Sequence, residues 1–235
     1  MPDNNTADQF PFISSQEIEK QSLDLMLSFS NNNGSELNAP IPVFEMIEYL
    51  GYDVDFRNDG IYKDSNILGG LRIKEKKVEI NENLEGQEGR MHFTAAHEVG
   101  HIVLHVPLLG EDDNNEQLDL NYDGENNILC RKDEGFEDKK KEPQEWQADK
   151  FAAFMLMPTD KVRSVFFRIF KRPINVKRKR LLELIFPRSP IFKAYKIAEK
   201  IIKTGSFDNV SKMAMLNRLI GMKLVNGLSY QKSKR

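Results

Sequence analysis

The sequence predicts an α+β fold, in which a small twisted sheet and a long apolar helix are followed by a helical C-terminal region. Three observations predict it. Short extended runs cluster at Val54–Phe56, Ile67–Ile73 and Lys77–Ile80, with the β-branched and apolar content of half-buried strands. Apolar residues recur at helical spacing on both sides of that cluster. From residue 161 onward the pattern is mostly helical and rich in Lys and Arg, with breaks at Pro173, Pro187, Pro190 and Gly205.

The elements follow in order. Residues 1 to about 12 are polar and read as disordered. Ser14 to Phe29 reads as a helix, with Ile18, Leu25 and Phe29 on one face and Ser14 or Ser15 as its cap. The run Asn31–Ser35, which includes Gly34, then breaks it and reads as a linker. A second helix starts near Pro42, a residue suited to a first turn, and stops at Gly51. Lys74-Glu75-Lys76 turns the second and third strands into a hairpin.

A long helix spans about Arg90 to His105 and is stopped by Pro107. The stretch 108–141 is acidic and polar and reads as a surface insertion. A further helix runs from about Pro143 to Met157, ending at Pro158. Three regions result: a tail and helix over 1–35, a main domain over 36–160, and a basic helical region over 161–235.

Composition narrows the classes. Of the 235 residues, 40% are hydrophobic and 30% charged, a mix that supports a packed core and excludes a disordered chain. No apolar run approaches the ~18 residues of a membrane span, and the polar start MPDNNTADQF lacks the form of a signal peptide. The one cysteine, Cys130, excludes an intramolecular disulfide and fits a reducing compartment. A cytoplasmic protein with no membrane partner is therefore expected.

The chemistry concentrates in His97-Glu98-Val99-Gly100-His101, an H-E-x-x-H motif. Residues four apart share a helix face, so both imidazoles can converge on one ion. Glu98 is turned too far to ligate but can reach a water at the ion, as a catalytic base must. Phe93, Ala95, Ala96, Val99 and Ile102 make the rest of this helix apolar. Polar groups buried in such a setting need a partner.

Zinc requires a third protein ligand and leaves a fourth position open. His105 competes for that role, but it lies eight residues from His97, ~12 Å along the axis. One ion cannot serve both, so His105 reads as a structural or cleft-edge histidine. Glu145 on the later helix is the better third ligand. Asp149, four residues on, shares its face and can accept the spare N–H of a ligating imidazole.

These residues resemble the ImmA/IrrE-type metallopeptidases. The resemblance rests on Arg90-Met91-His92-Phe93-Thr94-Ala95-Ala96-His97-Glu98-Val99-Gly100-His101-Ile102-Val103-Leu104-His105, and on the run Glu145-Trp146-Gln147-Ala148-Asp149-Lys150-Phe151-Ala152-Ala153-Phe154-Met155-Leu156-Met157-Pro158. It covers residues 38–158 well and 206–225 weakly. It implies a zincin-like peptidase domain with an active-site helix, and endopeptidase activity on a regulatory protein, often a helix-turn-helix repressor whose cleavage switches on stress genes. The length and acidity of the insertion and the basic segment 161–180 depart from the family pattern and bear on the substrate.

The implied cofactor is Zn²⁺, with Mn²⁺ or Fe²⁺ suited to the same ligands. Arg90, His105 and Tyr122 are the candidate oxyanion donors. The basic run Lys171, Arg172, Lys177, Arg178, Lys179 and Arg180 invites contact with phosphates, but a solvated helical surface is the preferred reading. Asn209 to Val225 has the length of a helix-turn-helix remnant, and packing is preferred to DNA reading there too. The competing function is a non-enzymatic regulator or toxin–antitoxin partner, with a structural metal site and a basic tail that binds DNA or protein. Glu98 argues against it, since a structural site needs no base beside the ion.

Overall fold

A computed structural model describes residues 11–109, 127–131, 142–177 and 189–229, with residues 127–131 described in backbone only. The expected disorder of residues 1–10, most of the acidic insertion, Tyr122 and the basic residues Arg178, Lys179 and Arg180 lie outside the described residues. The fold is α+β, and two units can be distinguished. The first draws on Met1–Leu37 and Pro42–Met155, the second on Asn38–Ile41 and Leu156–Arg235.

In the first unit, helix α1 (Ser15–Asn33) is capped by Ser14, whose hydroxyl accepts from the Glu17 N–H. It continues through the asparagine run and ends on Gly34, at φ 63°. The break therefore falls at Gly34, the residue that takes the left-handed turn at least cost, rather than at Asn31. Helix α2 (Val43–Tyr49) buries Val43, Met46 and Ile47.

Strands β1 (Asp53–Arg57), β2 (Ile67–Arg72), β3 (Lys77–Asn81) and β4 (Asn127–Arg131) form one mixed sheet in the order β1-β3-β2-β4. β1 runs parallel to β3, with Val54 opposite Val78. β2 is antiparallel to both β3 and β4. The β2–β3 hairpin turns at Lys74–Lys76 as expected. β4 is a correction, because residues 127–131 lie within the stretch read as a surface insertion. An edge strand gains its hydrogen bonds from one neighbour and needs no apolar alternation of its own.

Helix α3 (Glu88–Leu104) lies against this sheet and buries Thr94 through Ile102 without a gap. Gly69 on β2 sets the approach. A side chain there would meet Thr94 Cγ2 at 2.6 Å and the Glu79 carbonyl at 2.9 Å. Helix α4 (Pro143–Leu156) begins on a proline, which fits a first turn. It packs on α3 where Gly100 faces Ala148. A Cβ at Gly100 would come within 3.0 Å of the Ala148 Cα and 3.1 Å of the Phe151 Cβ.

The second unit holds α5 (Thr159–Ile169), β5 (Ile174–Asn175), α6 (Pro190–Gly205), α7 (Lys212–Gly221) and β6 (Val225–Asn226). Pro190 starts α6 behind the Ser189 cap instead of breaking a helix. Val162, Phe166, Ala198, Ile201, Phe207, Leu216 and Leu219 form its core. Asn209 donates to the Ile41 carbonyl at 2.8 Å, tying in the strip Asn38–Ile41.

Candidate metal centre

α3 carries His97, Glu98 and His101, and α4 carries Glu145 and Asp149. The helical repeat puts both imidazoles on the side of α3 that meets α4, and the Gly100–Ala148 contact closes the distance. His97 Nε2 and His101 Nε2 stand 3.0 Å apart. Glu145 places Oε2 3.3 Å from the first and Oε1 3.3 Å from the second. Among the described residues these three side chains are a group able to hold a metal ion.

The spacing fits a tetrahedral cation. Ligands ~2.05 Å from one ion at tetrahedral angles stand about 3.3 Å from one another. Each ring nitrogen stands at that distance from one oxygen of the Glu145 carboxylate, Oε2 for His97 and Oε1 for His101, and the two nitrogens are a few tenths of an ångström closer to each other. Burial fits as well, since His97 is 2% exposed and His101 fully buried.

For neutral rings, the hydrogen bonds around the two imidazoles select which ring nitrogens carry protons. His97 Nδ1 lies 2.9 Å from Asp149 Oδ1. A carboxylate can only accept, so Nδ1–H donates and the neutral ring leaves Nε2 bare. His101 is reached by a longer route. The Pro11 carbonyl accepts from Gln147 Nε2 at 3.1 Å, which turns the Gln147 Oε1 toward His105 Nε2 at 2.9 Å. His105 Nε2 is therefore the donor. Burial pushes His105 down to about 4, so the ring is neutral and its Nδ1 accepts. It accepts from His101 Nδ1 at 2.9 Å, which leaves the His101 Nε2 bare. Two imidazole lone pairs and a carboxylate thus face one point, an arrangement that repels itself unless a cation stands there.

Charge follows the same pattern. Without an ion, protons on the ring nitrogens take its place: burial opposes ionisation of Glu145, yet the coulombic pull of a protonated His97 and hydrogen bonds from His101 and His97 hold it well below the usual carboxylate range. Burial pushes the His101 ring down, with Glu145 pulling the other way. Glu98 is fully buried, and both its oxygens are without a hydrogen-bond partner among the described residues. Burial raises its carboxyl to about 8, against the pull of His97 and with the added push of Glu145.

Of the oxyanion candidates, Arg90 sits in the first turn of α3 with Nη1 3.2 Å from Gln87 Oε1. His105 is buried with both ring nitrogens engaged, and so has no donor left for a substrate oxygen. This corrects its reading as an oxyanion donor. Gln147 and Pro11 do not stand out in the sequence as parts of the site. The available signal is a glutamine inside an otherwise apolar helix, since a buried amide requires partners.

No curated protein matches the chain. The profile of the IrrE N-terminal-like domain matches residues 64–172, which include α3, α4 and every residue of the triangle. Residues 64–172 are therefore similar to the IrrE N-terminal-like domain, in agreement with the ImmA/IrrE-type resemblance of the two sequence signatures.

Proposed function

We propose that the protein is a zinc-dependent endopeptidase that cleaves a specific regulatory protein, with a helix-turn-helix repressor as the substrate class the family resemblance implies. His97, His101 and Glu145 hold the ion, and Asp149 orients His97. The observation that carries the reading is Glu98: a buried carboxyl with two unpartnered oxygens next to three convergent ligand atoms. A structural site would gain nothing from it.

Bound at the triangle, a divalent cation supplies Lewis acidity, polarising a carbonyl and lowering the pKa of water. The protein's own groups do the rest. Beside a positive charge the Glu98 carboxyl ionises within the neutral range, and its oxygens accept a proton from the attacking water. The same carboxyl then delivers that proton to the leaving amide nitrogen. Its burial keeps bulk water from competing for the proton.

The test incubates the purified protein with the repressor encoded beside its gene, with Zn²⁺, with chelator, and as Glu98→Gln. Cleavage should require metal and fall by about 10² to 10⁴ in Glu98→Gln. Metal binding by native mass spectrometry should persist in that variant. Undiminished cleavage by Glu98→Gln, or cleavage in chelator, excludes the proposal.

A further inference from the structure

Charge is partitioned along this chain. Of the 34 Lys and Arg residues, 20 lie from residue 156 onward, but only 4 of the 36 Asp and Glu residues do. That stretch carries a formal +16, against −18 for residues 1–155. A solvated helical surface ordinarily mixes both signs, because like charges held together destabilise the compact state.

The structure gathers part of this charge into a ribbon. On α6, Lys193, Lys196, Lys200 and Lys203 recur at spacings of three and four, beside the buried seam of Ala194, Ile197, Ala198 and Ile201. Three contacts carry the stripe onto α5 and β5. Arg168 Nη2 donates to the Thr204 carbonyl at 3.2 Å, next to Lys203. Lys200 Nζ lies 5.6 Å from the centre of the Phe170 ring, which leads into Lys171 and Arg172. Lys193 Nζ reaches the Val176 carbonyl at 3.4 Å, next to Lys177. Arg168, Lys171, Arg172, Lys177 and Lys200 are all exposed. Glu199 stands at the other edge of the stripe, its oxygens taken by Lys196 at 2.8 Å and Lys212 at 3.0 Å.

We propose that the ribbon formed by Arg168, Lys171, Arg172, Lys177, Lys193 and Lys200 is a binding site for the phosphate backbone of a nucleic-acid duplex. From Lys193 to Lys203 the stripe runs ~15 Å at 1.5 Å per residue. That length faces about four phosphates of one strand at 3.4 Å per step. Lys193 and Lys200, the two members of the ribbon on this helix, stand ~10.5 Å apart along its axis, about three phosphate steps at ~3.4 Å each. A regular polyanion matches that row, whereas an acidic protein surface offers carboxylates at irregular positions. Four of the six residues are lysines, point charges without the fork that reads base edges, so the binding is indifferent to sequence.

The test is fluorescence anisotropy of a labelled duplex of about two helical turns with the full chain, titrated at several salt concentrations. Binding is expected in the micromolar range, with log K falling against log salt at a slope of about −4, as four phosphate contacts require. Replacing Arg172, Lys193 and Lys200 together by Gln should bring the slope to roughly −1 to −2 and weaken binding at least about tenfold. Lys63→Gln, in the acidic unit, should change nothing. If the triple variant melts early, Lys200→Gln alone should shift the slope by about one.

An unchanged slope in these variants overturns the proposal. So does poly-glutamate competing as well as unlabelled duplex at equal charge, which would assign the ribbon to acidic polypeptides. Glu98→Gln should bind the duplex like the parent, so failure of the peptidase assay and failure of duplex binding can be told apart.

Discussion

Two glutamates are buried in the first unit, and they are treated oppositely. Glu79 on β3 is 2% exposed and Glu98 on α3 is 0% exposed. Around Glu79 stand Arg57 Nη1 at 2.6 Å, Arg72 Nε at 2.8 Å and the Tyr62 hydroxyl at 2.9 Å. The carboxylate raises the Tyr62 pKa as well, second only to burial. Glu98 has no such company. Removing a carboxylate from water costs several kcal/mol unless charge and hydrogen bonds replace the solvent. Glu79 receives both and serves the fold. Glu98 has at most the pull of His97 and, among the described residues, no hydrogen bond, so its position costs stability, as expected of a group kept for the proposed chemistry.

The largest effect separating the two should come from Glu98→Gln. Activity should fall by about 10² to 10⁴, while the metal-free fold gains. The Glu98 carboxyl titrates near 8 in the folded state, above its ordinary 4.5. Folding therefore takes up a proton between those values. The contribution of Glu98 is fully present below 4.5 and is lost as pH rises through 8. In chelator, the stability of Glu98→Gln relative to the parent, followed by thermal melting, should climb between about pH 5 and pH 8, by an amount on the order of a few kcal/mol. A flat difference across that range would mean that Glu98 is ionised or solvated without metal.

Glu79→Gln should do the reverse. It strips two guanidinium groups of their common acceptor, and breaking a buried pair costs roughly 3 to 5 kcal/mol. Arg57 and Arg72 side chains are 29% and 23% exposed, so water recovers part of this, and a loss of about 2 to 3 kcal/mol is expected in chemical denaturation. Zinc affinity, measured by competition with a chromophoric chelator, should not change. A variant that lost metal but not stability would erase the distinction between the two sites.

How much of this is legible in the sequence depends on whether the cause is local. The starts of α1 and α4 are written in Ser14 and Pro143, which act within one turn, whereas the end of α1 is not, since its asparagines carry the helix on to Gly34. The pairing of His97 with His101 follows from helix geometry alone. The approach of Glu145 to both rings is reachable because H-E-x-x-H asks for a third polar group, and that of Asp149 to His97 because an imidazole N–H asks for an acceptor. β4 is not legible, since its pairing with β2 is decided by the sheet it joins. Nor is the His101–His105–Gln147 chain, because its second step spans 42 residues and depends on where α4 docks. The glycines that set the packing of α3, Gly69 against the sheet and Gly100 against α4, show as punctuation in sequence and become contacts only in three dimensions.

Gly100 offers a smaller perturbation of the same comparison. Gly100→Ala would place a methyl within 3.1 Å of Ala148 backbone atoms, which cannot swing aside as a side chain can. Overpacking of this kind costs about 1 to 3 kcal/mol. It should also part α3 from α4, widening the triangle at Glu145 and weakening metal binding. The Glu79 cluster, carried by the sheet, should be untouched. Tryptophan fluorescence of Trp146, next to Glu145 in the chain, would report the shift.

The smallest effect should come from Gln147→Leu, which keeps the bulk of the side chain and removes its amide. Loss of a group supporting a ligating histidine typically costs about 10- to 100-fold in metal affinity. Gln147 acts one step further back, through His105, so the loss should lie near tenfold. The tautomer gives the sharper readout. Without Oε1 to accept from Nε2, His105 is free to move its proton to Nδ1. It then faces the Nδ1–H of His101 donor to donor, and one of the rings must turn. In nitrogen-resolved NMR of the zinc-loaded protein, the His105 proton should leave Nε2 in Gln147→Leu and remain there in Glu79→Gln. An unmoved proton with weakened metal binding would show that Gln147 acts through packing alone, and that the chain back to Pro11 holds the N-terminal segment rather than the ligand.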